Sequence, residues 1–165
     1  MITAIYPGSF DPLTNGHSDI VRRSLRIFDK VVVAVLAHPE KKALFTVPER
    51  VELIRAEFAD LGERVEVQSF SGLLVDYVRT FPRAVVIRGL RAISDFDYET
   101  QMALVNKTLC EEVETLFMVA REQHSYISSS LVKQIAMLGG PIEKLVPAVV
   151  CRALAERRAR GDLKP

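Results

Sequence analysis

The chain is poor in the features that mark specialised classes of protein. Its 165 residues include only two cysteines, Cys110 and Cys151, far apart and with no CxxC or Cys/His grouping near either. That argues against a disulfide framework or a metal site, and reduced thiols in a cytoplasmic setting are the expectation. Long apolar runs are missing: the longest goes from Val31 to Ala37, far short of the roughly 20 residues a membrane-crossing helix needs. The N-terminal Met1-Ile2-Thr3-Ala4-Ile5-Tyr6-Pro7 has neither a basic leader nor a long apolar stretch, so no signal peptide is expected. An excess of one charge is also lacking. Lys and Arg number 22 against 21 Asp and Glu, a net charge of +1, which gives no footing for nucleic-acid binding through bulk charge. Repeats, low-complexity segments and linkers are absent.

What is present is an ordinary globular composition, 48% hydrophobic and 26% charged, of a length that suits one domain over residues 1–165. Short runs rich in β-branched residues recur at Thr3–Tyr6, Val31–Leu36, Val65–Phe70, Ala84–Ile87 and Leu116–Ala120. Most are nearly continuous apolar stretches, as expected of parallel strands covered on both faces. Helical spacing fills the intervals. Ile20, Val21, Leu25 and Phe28 make one stripe, and Val51, Leu53, Ile54 and Phe58 a second, entered by the capping box Thr46-Val47-Pro48-Glu49. Leu73, Leu74, Tyr77 and Val78 make a third, and Tyr98, Met102, Val105 and Leu109 a fourth, with Ser94 or Asp95 as N-cap. A helix from Ser128 to Gly139 and a last one over roughly Pro147–Arg158 follow. Arg157, Arg158 and Arg160 at its end read as solvated cations suited to the helix dipole. The alternation implies an α/β fold: a single-domain, Rossmann-like, doubly wound parallel five-stranded sheet with helices on both faces. Ligands then bind at the carboxyl ends of the strands, which directs attention to the loops after Tyr6, Leu36, Phe70, Ile87 and Ala120.

The first of these loops, Tyr6-Pro7-Gly8-Ser9-Phe10-Asp11-Pro12-Leu13-Thr14-Asn15-Gly16-His17, is not the G-x-G-x-x-G of dinucleotide-binding proteins. It offers instead a glycine after the first strand, the Ser9 hydroxyl, and Thr-x-Gly-His at a helix start. Gly16, without a Cβ, lets a ligand approach the backbone. His17 falls in the first helical turn, where free N–H groups and the positive dipole end favour an anion. Its alternative role is a helix-start histidine bonded to the loop.

This loop resembles the first signature, (T/H)-x-G-H, of the nucleotidyltransferase superfamily. Three further segments resemble the bacterial phosphopantetheine adenylyltransferase family: Ile87-Arg88-Gly89-Leu90-Arg91-Ala92 with Asp95-Phe96-Asp97-Tyr98-Glu99, Tyr126-Ile127-Ser128-Ser129-Ser130-Leu131-Val132-Lys133, and Lys41-Lys42 before Phe45-Thr46. The resemblance implies an enzyme that joins the adenylyl group of ATP to 4′-phosphopantetheine, with Mg2+ carried mainly by the ATP phosphates. It implies no nucleic-acid or membrane partner, and a cytoplasmic homohexamer. A sister enzyme acting on nicotinate mononucleotide or glycerol phosphate, and a catalytically silent nucleotide sensor, are the rival readings. Against the sensor, His17, Lys41 and Arg88 are all present.

By the same resemblance His17 would stabilise the transition state at the α-phosphate. Ser9 would touch both substrates, with Phe10 beside ATP. Lys41 and Arg88 would hold the acceptor phosphate, and Leu74 would line the pantetheine arm. Gly89, Leu90, Arg91 and Glu99 would surround ATP, and His124, Ser125, Tyr126, Ile127, Ser128, Ser129 and Ser130 would embrace its adenine and outer phosphates. Plainer roles stand beside these. Lys41 could be a solvated loop lysine, Arg88 could be ion-paired with Asp95 or Glu99, and Leu74 could belong to the core. Ser128–Ser130 could be only a helix cap, and Glu99 a surface carboxylate. Met137 stands where many family members carry an arginine toward the ATP phosphates, and His124 replaces a residue that is often aromatic or basic. Chemistry accords with the pattern. A phosphomonoester, with a second pKa of about 6, is already an anionic nucleophile at neutral pH, so cations, N–H groups and hydroxyls are needed rather than a general base.

Overall fold

The most apolar stretches of the chain form the middle of the molecule. Five parallel strands, β1 (Thr3–Gly8), β2 (Lys30–Leu36), β3 (Val65–Phe70), β4 (Ala84–Leu90) and β5 (Thr115–Val119), lie in the order β3-β2-β1-β4-β5. The computed structural model describes residues 1–37, 43–91 and 93–163, with backbone alone at 93 and 94. Lys41 and Lys42, singled out above, lie outside the described residues.

Burial on both faces explains the continuous apolar runs. Val31, Val33 and Val35 of β2 pack on one side, and Val32 and Ala34 on the other. Helices α1 (Asn15–Ser24), α2 (Val47–Glu57), α5 (Ser129–Met137) and α6 (Ala148–Ala159) contribute to the larger core with Ile20, Val21, Ile54, Val132 and Val150. The opposite face is covered through α3 (Leu74–Arg79) and the end of α4 (Ile93–Leu109), with Val75, Val78, Cys110 and Val113 buried there. The Rossmann-like fold expected from the sequence is the one observed. The chain winds outward from β1 through β3, then returns to place β4 beside β1, so the switch in strand order lies between the ends of those two strands.

Several local expectations change in three dimensions. Strand β4 runs on through Arg88 and Gly89 to Leu90, because β5 extends the ladder to Leu90↔Val119. Arg88-Gly89-Leu90 therefore stands on a strand end rather than in a loop. Helix α4 begins at Ile93, one or two residues before the anticipated caps. Asp95 is spent in its first turn on the Arg91 backbone N–H and guanidinium. The third stripe is offset: Val75 and Val78 are the buried positions, while Leu73 is exposed and Leu74 only partly buried. The fourth does not face the core at all. Tyr98, Met102, Val105 and Leu109 are exposed, as are Phe96 and Leu104, while Asn106 is buried and Glu99 largely so. The arginines closing α6 are not merely solvated. Arg157 bonds Glu49 and lies over the Phe45 ring, and Arg158 donates to the Ala136 carbonyl.

Candidate active site

Local sequence shapes the loop after β1. Phe10 adopts φ 46°, in the left-handed region, which turns its ring back beneath the strand. A Cβ on Gly8 would lie 2.9 Å from that ring, so the turn requires glycine there. The ring then meets Tyr6 and His17 edge-on, at centroid distances of 5.3 and 5.1 Å.

His17 is fixed by a capping box of unusual composition. Thr14 is the N-cap of α1, and its hydroxyl accepts the His17 N–H at 3.3 Å. In return the Thr14 N–H donates to Nδ1 of His17 at 3.1 Å. A backbone N–H can only donate, so Nδ1 is the unprotonated nitrogen and a neutral ring carries its proton on Nε2. The ring is kept neutral by burial first, then by the fields of Arg91 and Arg88, which together lower its pKa to about 3. Of the roles considered for His17, the helix-start histidine bonded to the loop is the one observed. Capping the helix sets the tautomer that leaves an Nε2–H donor for the cavity.

That cavity, of about 270 Å3, opens at the switch point between β1 and β4. Ser9, Phe10, His17, Arg88, Gly89, Arg91 and Glu99 line it, as do His124, Ile127, Ser128, Ser129 and Ser130. Leu74, Leu90, Ser125 and Tyr126 are not among its lining residues; Ser125 and Tyr126 border a shallower surface depression with Arg121.

Both arginines are held by carboxylates. Glu99 takes Nε and Nη2 of Arg88 at 2.7 and 2.5 Å, and the Pro7 carbonyl takes Nη1. Of the five guanidinium N–H groups, one on each Nη is left over. Asp95 grips Arg91 at 2.9 Å, and Arg91 also donates to the Ile127 carbonyl at 3.0 Å. Such forks aim a guanidinium rigidly, which suits phosphate recognition. Opposite them, Ser128 caps α5 through the Leu131 N–H, and Ser129 bonds the Pro12 carbonyl. The first turn of α5 therefore faces the loop after β1, with the Ser129 and Ser130 N–H groups at the helix's positive end. Among the described residues nothing requires glycine at residue 16, where an added Cβ would meet its nearest neighbours at 3.6 Å. Nδ1 of His124 is buried at the cavity wall without a partner among the described residues.

A phosphopantetheine adenylyltransferase from Alkalilimnicola ehrlichii is 54% identical to this chain over 94% of its length and 90% of the relative's. The chain belongs to the phosphopantetheine adenylyltransferase family. A phosphopantetheine adenylyltransferase from Geotalea daltonii is 55% identical over 92% of this chain and 93% of its own. The broader cytidylyltransferase-like family model matches residues 5–135. A crystal structure described as a nicotinate-nucleotide adenylyltransferase from Vibrio parahaemolyticus superposes with a TM-score of 0.67 at 20% identity, over 94% of this chain and 99% of that one. That likeness carries the fold.

For this phosphopantetheine adenylyltransferase family member, the site includes side chains that sequence reading passed over. Asp11 is buried and accepts the Leu44 and Phe45 N–H groups, each at 2.8 Å, and pairs with Lys133 of α5. It ties the loop after β1 to the chain entering α2 and to α5. Arg50 of α2 is buried and donates to the Ser9 carbonyl at 2.6 Å. Its signal was available: Arg50 stands four residues before the buried Ile54, a charge on a core-facing helical stripe.

Proposed function

We propose that the chain transfers the adenylyl group of ATP to 4′-phosphopantetheine, giving dephospho-coenzyme A and pyrophosphate in coenzyme A biosynthesis. The observation that carries this reading is the neutral His17, with its Nε2–H turned to a cavity bordered by Ser9, two clamped arginines and a helix start. An oxygen of the acceptor phosphate forms a bond to the α-phosphorus. The bond from that phosphorus to the bridging oxygen breaks, and pyrophosphate leaves with the electron pair. No proton need be removed from the nucleophile. What the protein must supply is charge compensation that grows toward the transition state, and a preorganised donor does this well. His17 serves the α-phosphate, Arg88 the acceptor phosphate, and Arg91, Ser129 and Ser130 the nucleotide phosphates. Lys41 is assigned to the acceptor phosphate and Leu74 to the pantetheine arm by family resemblance.

Magnesium belongs to this reading as a companion of the ATP phosphates. The carboxylates of the cavity do not make a cation site: Asp95 and Glu99 are committed to arginines, and no cluster of metal-binding side chains occurs among the described residues. No step is routed through the ion.

A homo-oligomer, hexameric by family resemblance, follows from the same reading. Its support is α4, whose outward face carries Phe96, Tyr98, Met102, Leu104, Val105 and Leu109. A lone protein rarely exposes such a stripe. The proposed setting is the cytoplasm, and no described helix is long and apolar enough to cross a membrane.

The test is pyrophosphate release from ATP with phosphopantetheine, nicotinate mononucleotide and glycerol phosphate offered in parallel. Substantial turnover is expected with phosphopantetheine alone. Faster turnover with either rival acceptor would overturn the substrate assignment.

A further inference from the structure

The segment that leaves β5 builds one wall of the cavity, and a carboxylate of α1 outside the cavity ties that wall down. Asp19 follows His17 by two residues, is only 10% exposed and bridges two arginines. Arg23, one turn further along α1, donates to its Oδ2 at 3.1 Å and to the carbonyl of Val119, the last residue of β5, at 2.8 Å. Arg121, two residues past β5, approaches its Oδ1 through Nε at 3.1 Å. The bridge therefore attaches the end of β5 and its outgoing loop to the helix that carries His17. A fully exposed ion pair contributes little, because water screens it. A carboxylate largely withdrawn from water and shared by two guanidinium groups fixes their geometry as well as their charge.

The loop held in this way reaches the cavity within three residues. Arg121 immediately precedes a short 3-10 turn, Glu122–His124, and its carbonyl accepts the His124 N–H at 2.8 Å. A displacement of Arg121 is thus passed to His124. The Cβ of His124 lies 3.6 Å from where a Cβ on Gly16 would stand, so it rests against the first turn of α1. Two other ties come from the end of β4: the Leu90 carbonyl accepts the Ala120 N–H at 2.8 Å, and Arg91 donates to the Ile127 carbonyl at 3.0 Å. Among the described residues, Asp19 supplies the charged tie to α1.

This wall differs in kind from the rest of the cavity. Hydroxyls, arginines and His17 gather where the phosphates are assigned. Ile20, Ala120 and Ile127 are apolar, and His124 adds the buried Nδ1 that has no partner among the described residues. An apolar surface with one unsatisfied polar atom suits a planar base. We propose that Asp19 is a positioning residue for the nucleotide: through Arg121 it sets the separation between His17, which serves the α-phosphate, and the wall that receives the adenine. The role rests on the adenylyl-transfer reading. Asp19 itself touches no substrate, and it acts by keeping the base and the α-phosphorus in register.

The experiment is steady-state kinetics on the full-length protein, with calorimetric titration of ATP and of phosphopantetheine. Asp19→Asn leaves two guanidinium groups facing a neutral amide and should raise the KM for ATP about tenfold. Arg121→Ala, which removes a side chain that is half exposed, should raise it roughly two- to fivefold, and Arg121→Lys less. In all three, kcat at saturating ATP and the affinity for phosphopantetheine should hold, while the preference for ATP over GTP should narrow. The double variant Asp19→Asn with Arg121→Ala should cost less than the two single changes together. An unchanged KM for ATP in both single variants, an equal rise for both substrates, or an unchanged ATP-to-GTP preference would overturn the role. Arg121→Ala keeps the answer available should Asp19→Asn fail to fold. If the wild type binds ATP yet no acceptor supports turnover, the acceptor reading fails, and the ATP titrations still decide the role of Asp19.

Discussion

At the scale of single residues, a helix cap fixes the tautomer of the histidine to which the proposed reaction assigns the α-phosphate. Thr14 and His17 satisfy two N–H groups of α1 between them, and the bond to Nδ1 leaves the proton on Nε2. His17→Ala should lower kcat by about 10²–10³, the usual cost of removing such a donor, with ATP affinity much less affected. His17→Asn should retain part of the rate, and steady-state kinetics with ATP titration will separate the two effects. A variant that keeps its kcat and loses only ATP binding would reduce His17 to a positioning group. The titration is equally specific. With a folded-state pKa of about 3, His17 does not change charge between pH 5 and 9. The acid limb of kcat/KM should therefore follow the acceptor phosphate, near pH 6, and keep its midpoint in His17→Asn. The unfolded chain binds a proton below about pH 6.5 that the folded ring refuses, so folding is progressively disfavoured as pH falls from there toward 3. The cost is about 1.4 kcal/mol per unit. Urea unfolding at pH 7 and pH 5 should show a smaller acid loss in His17→Asn than in the wild type, by about 1–2 kcal/mol.

Among the elements, β4 and α4 act together. The strand presents Arg88 and the helix returns Glu99 to hold it, with Glu99 only 13% exposed. Removing either partner leaves the other partly buried and unpaired. Arg88→Ala and Glu99→Ala should therefore both raise the KM for phosphopantetheine, roughly tenfold to a hundredfold for the arginine, with a smaller effect on ATP. The double variant should cost less than the sum of the two, since each single change already breaks the same fork. Additive effects would mean that Glu99 meets a ligand independently of Arg88. The same pair accounts for the polar inner face of α4, since a helix that must deliver Asp95 and Glu99 inward has its apolar residues turned outward.

On the scale of the whole molecule, that outward face predicts association. Leu104→Lys combined with Val105→Glu should lower the sedimenting mass of the protein while leaving its far-UV circular dichroism unchanged. A wild-type chain that sediments as a monomer at micromolar concentration would rule the assembly out. By itself the sequence determined the order of the elements, since continuous β-branched runs separated by helical spacing have few arrangements besides a parallel sheet. It also determined the capping box at Thr46 and the helix start at Gly16-His17, because these are contacts between residues a few positions apart. The tertiary structure alone decided what Arg88, Asp11, Arg50 and Lys133 do, and which side of α4 meets the sheet. Asp11 finds Lys133 across most of the chain, and Arg50 reaches the Ser9 carbonyl only after α2 packs against β2 and β3. Local spacing carries no record of such meetings. They exist because the reversal in strand order brings β1 and β4 side by side and gathers α1, α2 and α5 around one crevice.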